Sequence, residues 1–355
     1  MGEAVFLNAQ RDLVSGDIDR RRAASLAAKT VSVAVLATPF FSILLGIWLI
    51  ALDFPNFILG VVGAIILALG AMLLPRRSRN RETTLTRSGL PKTFDLLDRI
   101  ATEMGTEPAT GVHIIPDLNA YMLHVRNERV MGIGAVLWHA LPAEQRVAII
   151  AHEFAHQING DPARSGLTQK ALDTLEGWLW YLEPDTGELF TDLVMMLPYL
   201  MAAGFYRLLV RLMFIESQRA EYLADAIGAR LSGAGALQEA LKTISLNDRI
   251  EAELRGMHAN RTAGGIKMVH RLANAVSNTP EEERKDILDQ VFAKKLSVDD
   301  THPPTAYRLA FLDLLPAVGD TLRVGNDKMA AIDAELEPHF AKLGDEILKA
   351  QGDDF

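Results

Sequence analysis

The sequence has no cysteine among its 355 residues. Disulfides, thiolate metal sites and cysteine nucleophiles are therefore excluded together, and any metal must be held by His, Asp or Glu. The absence suits a reducing compartment. Positive charge is also in deficit, with 36 Lys and Arg against 45 Asp and Glu and a formal net charge of −9. Without a surplus of cations to neutralise phosphates, the composition argues against a nucleic-acid partner. Internal repeats and low-complexity tracts are missing as well. Apolar residues, in contrast, are abundant at 49 %. The mean hydropathy of +0.12 is high for a purely soluble chain, so membrane segments are the first thing to seek.

Val31 to Leu52 is a run of 22 residues without a charge, and Phe57 to Leu74 is a second of 18. At about 1.5 Å per residue they reach roughly 33 and 27 Å, against a hydrocarbon core of about 30 Å. Asp53-Phe54-Pro55-Asn56 joins them as a tight polar turn, and Gly60 with Ala64 offers small residues for helix packing. The first run starts too late for a cleaved signal peptide. Arg20, Arg21, Arg22 and Lys29 precede the hairpin and Arg76, Arg77, Arg79 and Arg81 follow it, while the turn has no Lys or Arg. The positive-inside rule then places both ends, and everything after residue 76, in the cytoplasm.

Beyond a polar linker at 76–92, the pattern predicts an amphipathic helix from Thr93 to Met104. Short β-like runs follow at Val112 to Ile115, Ala120 to Val125 and Arg129 to Ile133, with Asn127-Glu128 as a hairpin turn. From Pro142 onward the patterns are helical, up to an acidic end at Gln351 to Phe355. The expected fold class is α+β, mostly helical, with a small sheet. The expected organisation is a cytoplasmic tail at 1–30, a transmembrane hairpin at 31–75 and one soluble domain at 82–355.

The chemistry concentrates in Ala151-His152-Glu153-Phe154-Ala155-His156. Its helix opens with Pro142 and Glu144, both favourable near an N-terminus. Helical rotation puts Val147, Ile150, Phe154 and Ile158 on one face, expected to be buried. His152 and His156, four apart, project together from the other side, with Glu153 beside them. That spacing lets two imidazoles grip one zinc ion while the carboxylate accepts a proton from an activated water. Taken alone, the pair is equally readable as ordinary helix histidines. A catalytic zinc needs a third protein ligand. The best candidate is Glu221, four residues before Asp225 in Glu216-Ser217-Gln218-Arg219-Ala220-Glu221-Tyr222-Leu223-Ala224-Asp225. Glu221 can bind the metal while Asp225 holds a histidine N–H; on spacing alone, such a pair is most often a solvated helix face.

Together these residues resemble the HtpX-like membrane metallopeptidases, relatives of the CAAX prenyl proteases. The resemblance runs from about residue 85 to 315. It rests on His-Glu-Phe-Ala-His with Asn159-Gly160-Asp161, on the Ser-x-x-x-Glu-Tyr-x-Ala-Asp segment, and on Thr301-His302-Pro303-Pro304 with Arg308. It implies a zincin-like domain and one Zn2+ per chain on His152, His156 and Glu221. It also implies catalysis by Glu153, support from Asp225, and active-site polar groups at His302 and Arg308. In that setting His302 would stabilise the oxyanion; on spacing alone it is a loop residue before two prolines. Asn119-Ala120-Tyr121 is similar to the family's Asn-Ala-Phe edge strand, which would take up an extended substrate by strand addition.

Two departures stand out. Gln218 occupies a place where Arg is usual, so a local salt bridge would be missing or moved to Arg219. HtpX-like proteins also carry a second pair of spanning helices between zinc motif and third ligand. Here only Leu193 to Ile215 is apolar, and Pro198, Arg207 and Arg211 interrupt it. Ser165 to Leu182 holds Lys170, Asp173 and Glu176 and does not read as a span. His152 and Glu221 must meet at one metal, so the chain between them crosses a membrane an even number of times. The expectation is therefore that 193–215 is buried in the domain or lies against the bilayer, with Trp178, Trp180 and Tyr181 at the interface. Met195, Met196, Met201 and Met213 are then packing residues.

The reading that follows is a zinc endopeptidase anchored in a membrane, the inner membrane if bacterial, cutting membrane or misfolded proteins from the cytoplasmic side. The alternatives are an inactive scaffold of the same fold and a CAAX-type prenyl-protein protease. A site-2-type intramembrane protease fits less well, because Glu144, Gln145 and Arg146 sit just before the motif.

Overall fold

The computed structural model describes residues 7, 22–53, 57–74, 84–125, 128–159, 166–185, 187–258, 265–293, 303–317 and 321–352. Arg20, Arg21, the Phe54-Pro55-Asn56 turn, Arg76, Arg77, Arg79, Arg81, Asn127, Gly160, Asp161, Thr301 and His302 lie outside the described residues. Packing divides the chain into two units. One comprises Met1–Ile18, Arg81–Asp161 and Gln218–Phe355; the other comprises Asp19–Asn80 and Pro162–Ser217. The 162–217 segment is thus grouped with the apolar hairpin helices.

In the second unit, α1 (Arg22–Asp53) and α2 (Ile58–Met72) form the apolar hairpin. Gly46, Gly63 and Gly70 make close approaches between them, and the expected Ala64 does not. A Cβ on Gly63 would lie 2.7 Å from the Gly46 carbonyl oxygen, and one on Gly70 would lie 2.9 Å from Ser42. Ala64 faces outward. With Gly70 opposite Ser42, the first half of α1 runs on beyond the end of α2. There it meets α6 (Gly166–Leu182), whose Ala171, Leu175, Trp178 and Leu182 are buried in one cluster with Ala28 and Val35 of α1. The Trp178 indole N–H donates to the carbonyl of Leu73, at the end of α2, over 2.8 Å. Gln169, Lys170, Asp173 and Glu176 form the exposed face of α6.

The helix α7 (Leu189–Ser232) is continuous through Pro198, Arg207 and Arg211, the residues that interrupt its apolar run. Its Ala202, Leu209 and Met213 join the α1–α6 cluster. Leu189, Phe190, Leu193 and Leu197 are largely exposed. By length and composition alone, α1 and α7 are long and apolar enough to cross a membrane.

The first unit holds a three-stranded sheet of β1 (Gly111–Ile115), β2 (Ala120–Val125) and β3 (Glu128–Gly134) in the order β1-β3-β2. β1 runs parallel to β3, and β2 pairs with β3 as an antiparallel hairpin. Met122 and Met131 face one side and pack with α3 (Pro91–Glu103), α5 (Ala143–Asn159) and α13 (Asn326–Gly352). On the other side His113, Gly132 and Tyr121 form one row across the three strands. Gly132 is needed there: a Cβ would lie 2.5 Å from the Tyr121 ring, which crosses it to bring its hydroxyl 2.6 Å from His113 Nδ1.

α5 is enclosed on two sides. Val147, Ile150, Ala151 and Phe154 pack toward the sheet, α3 and α13. Ala148 and Ile149 pack with α4 (Ala135–Ala140), α8 (Ala234–Ile244) and α10 (Ile266–Ser277). Ile158, expected on the buried face, is 42 % exposed because it lies in the last turn, past these neighbours. The remaining helices are α9 (Asp248–His258), α11 (Glu281–Ala293) and α12 (Thr305–Leu312).

The start of α3 lacks an acidic residue of its own. Glu335 of α13 supplies one, accepting from the backbone N–H groups of Lys92 (2.8 Å) and Thr93 (2.7 Å) and from the Thr93 hydroxyl (2.7 Å). Orphan helix N–H groups bonded by a carboxylate also meet the favourable end of the helix dipole. Glu335→Ala is expected to cost about 1–2 kcal/mol, read as a lower thermal midpoint without loss of helical signal.

Candidate metal centre and active site

Two helices of the first unit build the site. α5 presents His152 and His156 one turn apart, and the last third of α7 presents Glu221 and Asp225 one turn apart. The two imidazole rings stand edge to face at 87°, with 3.1 Å between their Nε2 atoms. Glu221 bridges toward both: Oε1 lies 3.2 Å from His156 Nε2 and Oε2 lies 3.5 Å from His152 Nε2. All three residues are buried, and their donor atoms lie within 4.8 Å of one another. Two imidazole nitrogens and one carboxylate at these separations can share one small cation.

The surroundings orient these groups. Asp225 Oδ1 lies 3.0 Å from His152 Nδ1, which leaves Nε2 directed at Glu221. Arg308 of α12 grips Asp225 with both prongs, Nε to Oδ2 at 2.9 Å and Nη2 to Oδ1 at 2.6 Å. Its Nη1 lies 3.3 Å from Glu221 Oε2. Glu153, beside His152, accepts a hydrogen bond from the backbone N–H of Met122 in β2, at 3.1 Å.

Close helix approach makes this convergence possible. Gly228 lies two turns beyond Glu221 on the same side of α7, and a Cβ there would stand 3.1 Å from the backbone of His152. A mid-helix glycine costs about 1 kcal/mol relative to alanine, and the contact with the α5 backbone is the reason it is tolerated. A glycine at that offset from Glu221 and Asp225 was visible in the sequence. The Met122 amide was not, because a backbone group leaves no trace in residue type.

Electrostatics point the same way. Glu153, Glu221, Asp225 and Arg308 are all buried. Three carboxylates thus face one guanidinium, an imbalance that a divalent cation would neutralise. Burial alone would raise the Asp225 pKa, but the Arg308 charge and hydrogen bonds outweigh it and hold it below the ordinary value. Burial alone would lower the Arg308 pKa, but Asp225 and then Glu221 push it up. For His152, the hydrogen bonds to Asp225 and Glu221 outweigh burial, so the net shift is upward. The site therefore favours positive charge at its centre.

Of the sequence candidates, the structure brings together His152, Glu153, His156, Glu221, Asp225 and Arg308. Asn119 and Ala120 lead into the edge strand, where the Asn119 side-chain oxygen accepts from the Ala120 N–H at 2.9 Å. The Tyr121 side chain turns across Gly132 to the face of the sheet opposite Met122. His302 lies outside the described residues. Gln218 is buried on α7, and its Nε2 has no hydrogen-bond partner among the described residues.

Residues 95–315 match the model of Peptidase family M48. The chain belongs to this family. Among similar relatives is Protease HtpX of Xanthomonas oryzae pv. oryzae (strain PXO99A), 26 % identical over 171 residues, covering 45 % of this chain and 58 % of that protein. Another is Protease HtpX of Aliivibrio fischeri (strain ATCC 700601 / ES114), 25 % identical over 215 residues, covering 56 % of this chain and 72 % of that protein. The chain thus spans little more than half the length of the first of these relatives. No solved structure matches it.

Proposed function

We propose that this M48 family member is a zinc-dependent endopeptidase held at a membrane by its apolar helices. The observation that carries the reading is the buried His152–His156–Glu221 donor set, with a further buried carboxylate, Glu153, beside it. Zinc bound there would act as a Lewis acid on a peptide carbonyl and would acidify a water molecule at its open position. Glu153 accepts the water proton and returns it to the leaving amine. Asp225 fixes the His152 ring through Nδ1, and Arg308 keeps Asp225 ionised and in place. His302 is proposed as a donor to the oxyanion, from the family resemblance.

The substrate is an extended polypeptide. β2 is the edge of the sheet, and its pairing with β3 directs the Met122 N–H away from the sheet and into the site. Strand addition there would present a peptide bond to Glu153 and the donor set. The proposed substrates are membrane or misfolded proteins.

The α1–α2 hairpin is proposed to span the bilayer, with the catalytic domain on the cytoplasmic side. α6 is proposed to lie just inside that face, its charged side toward water and Trp178 at the level where α2 ends. The exposed apolar residues at the start of α7 are proposed to lie against the lipid. Both ends of the segment then stay on one side, as His152 and Glu221 require.

Chelation tests the zinc reading. The purified full chain in detergent is expected to hold one zinc ion. Removing it with 1,10-phenanthroline should abolish cleavage of unfolded casein, and one equivalent of zinc should restore it. Cleavage that persists in metal-free protein would sink the reading.

A further inference from the structure

Met122 has one N–H, and two groups have a use for it. In the structure it goes to Glu153 Oε2 at 3.1 Å. Pairing of β2 with β3 turns alternate backbone groups toward the free edge. Gly134 donates to the Asn119 carbonyl at 3.0 Å, so Asn119 and Tyr121 face β3. Ala120 and Met122 then face the free edge, where an added strand would seek their N–H groups. The Ala120 N–H is also engaged, by the Asn119 side chain. Both donors that a peptide needs at this part of the edge are thus held by side chains of the protein itself.

We infer that the Met122 amide is handed over when substrate binds. Without peptide it ties the Glu153 carboxylate to β2; with peptide it donates to a substrate carbonyl, and Glu153 is released to serve the water. The hand-over rests on the proposed peptidase function and adds a coupling to it. Strand addition would itself remove this hydrogen bond from the base, so that peptide binding changes how Glu153 is held. The group recognised is the main-chain carbonyl of an extended polypeptide, whatever its side chains.

Two inactive variants of equal side-chain length separate the idea from simpler ones. Glu153→Gln keeps an oxygen that can accept the Met122 N–H; Glu153→Met fills similar space with only a weakly accepting sulfur. Neither carries a charge, and both keep His152, His156 and Glu221. Fluorescein-labelled casein is titrated into each zinc-loaded, full-length variant in detergent and followed by anisotropy. Glu153→Met is expected to bind about three- to tenfold more tightly, because casein need not displace an internal acceptor. Hydrogen exchange gives a second readout: without casein, the Met122 amide should exchange faster in Glu153→Met than in Glu153→Gln. Equal affinities and equal exchange overturn the hand-over. If wild type still cuts the same casein and Glu153→Gln does not, the peptidase reading survives that result. Absence of both cleavage by wild type and binding by the variants overturns both.

Discussion

Glu153→Gln is expected to lower peptide hydrolysis by about 10²- to 10⁴-fold, the usual contribution of a positioned general base. In activation free energy this is roughly 3–5 kcal/mol. The substitution is close to isosteric, and Glu153 stands outside the triplet of donor atoms within 4.8 Å of one another. Zinc content and thermal midpoint should therefore stay near wild type. An amide oxygen can still accept from the Met122 N–H, so β2 keeps its place. What is lost is a group able to take a proton from water and return it to the leaving nitrogen. Retention of zinc together with loss of cleavage distinguishes a base from a ligand, since a lost ligand would cost both. A variant that cleaves within a few-fold of wild type would remove Glu153 from the mechanism. The scaffold alternative makes the opposite forecast, with wild type and variant alike inactive.

Much of this site could be read from helix periodicity. His152 and His156, and again Glu221 and Asp225, are each one turn apart, so each pair had to share a helix face. The pairing of the two faces was legible only through the single-metal requirement and the family resemblance, because nothing local in residues 152–156 encodes contact with 221. The strands were also legible: alternation in Ala120 to Val125 matches the sheet, since one side of β2 packs in the core. Organisation beyond the peptidase fold was less so. The 162–217 segment carries Lys170, Asp173 and Glu176, and a charge count assigns it to the soluble domain. Its buried residues, Ala171, Leu175 and Trp178, are spaced four and three apart and find their partners on α1, more than 130 residues earlier. Periodicity shows that such a face exists but not what covers it. Ala64 missed the helix contact for a related reason. Small residues mark possible contacts on a helix, and the rotation of α2 against α1 selects Gly63 and Gly70 among them.

Removing Arg308 is expected to have the largest effect on stability. Asp225 is fully buried, and Arg308 supplies two hydrogen bonds and the nearest fixed positive charge. Arg308→Met leaves that carboxylate uncompensated at similar side-chain volume, a loss of about 3–5 kcal/mol for a broken buried pair. At roughly 2–4 °C per kcal/mol for a domain of this size, the thermal midpoint should fall by about 6–20 °C. The pH dependence identifies the cause. In wild type Asp225 is held below its ordinary pKa, so its contribution is present above the unfolded value of about 3.9 and fades as pH falls through the folded value. In the variant burial prevails and the folded pKa rises, so protonation favours the folded chain. The gap between wild type and variant should therefore narrow as pH drops from 7 toward about 4. Adding Asp225→Asn to Arg308→Met should recover part of the midpoint at pH 7, because no buried charge is left without its partner. Zinc affinity should not recover with it, since His152 then faces an amide instead of a carboxylate. A pH-independent gap, or full recovery of both properties in the double variant, would show that Arg308 acts by filling space.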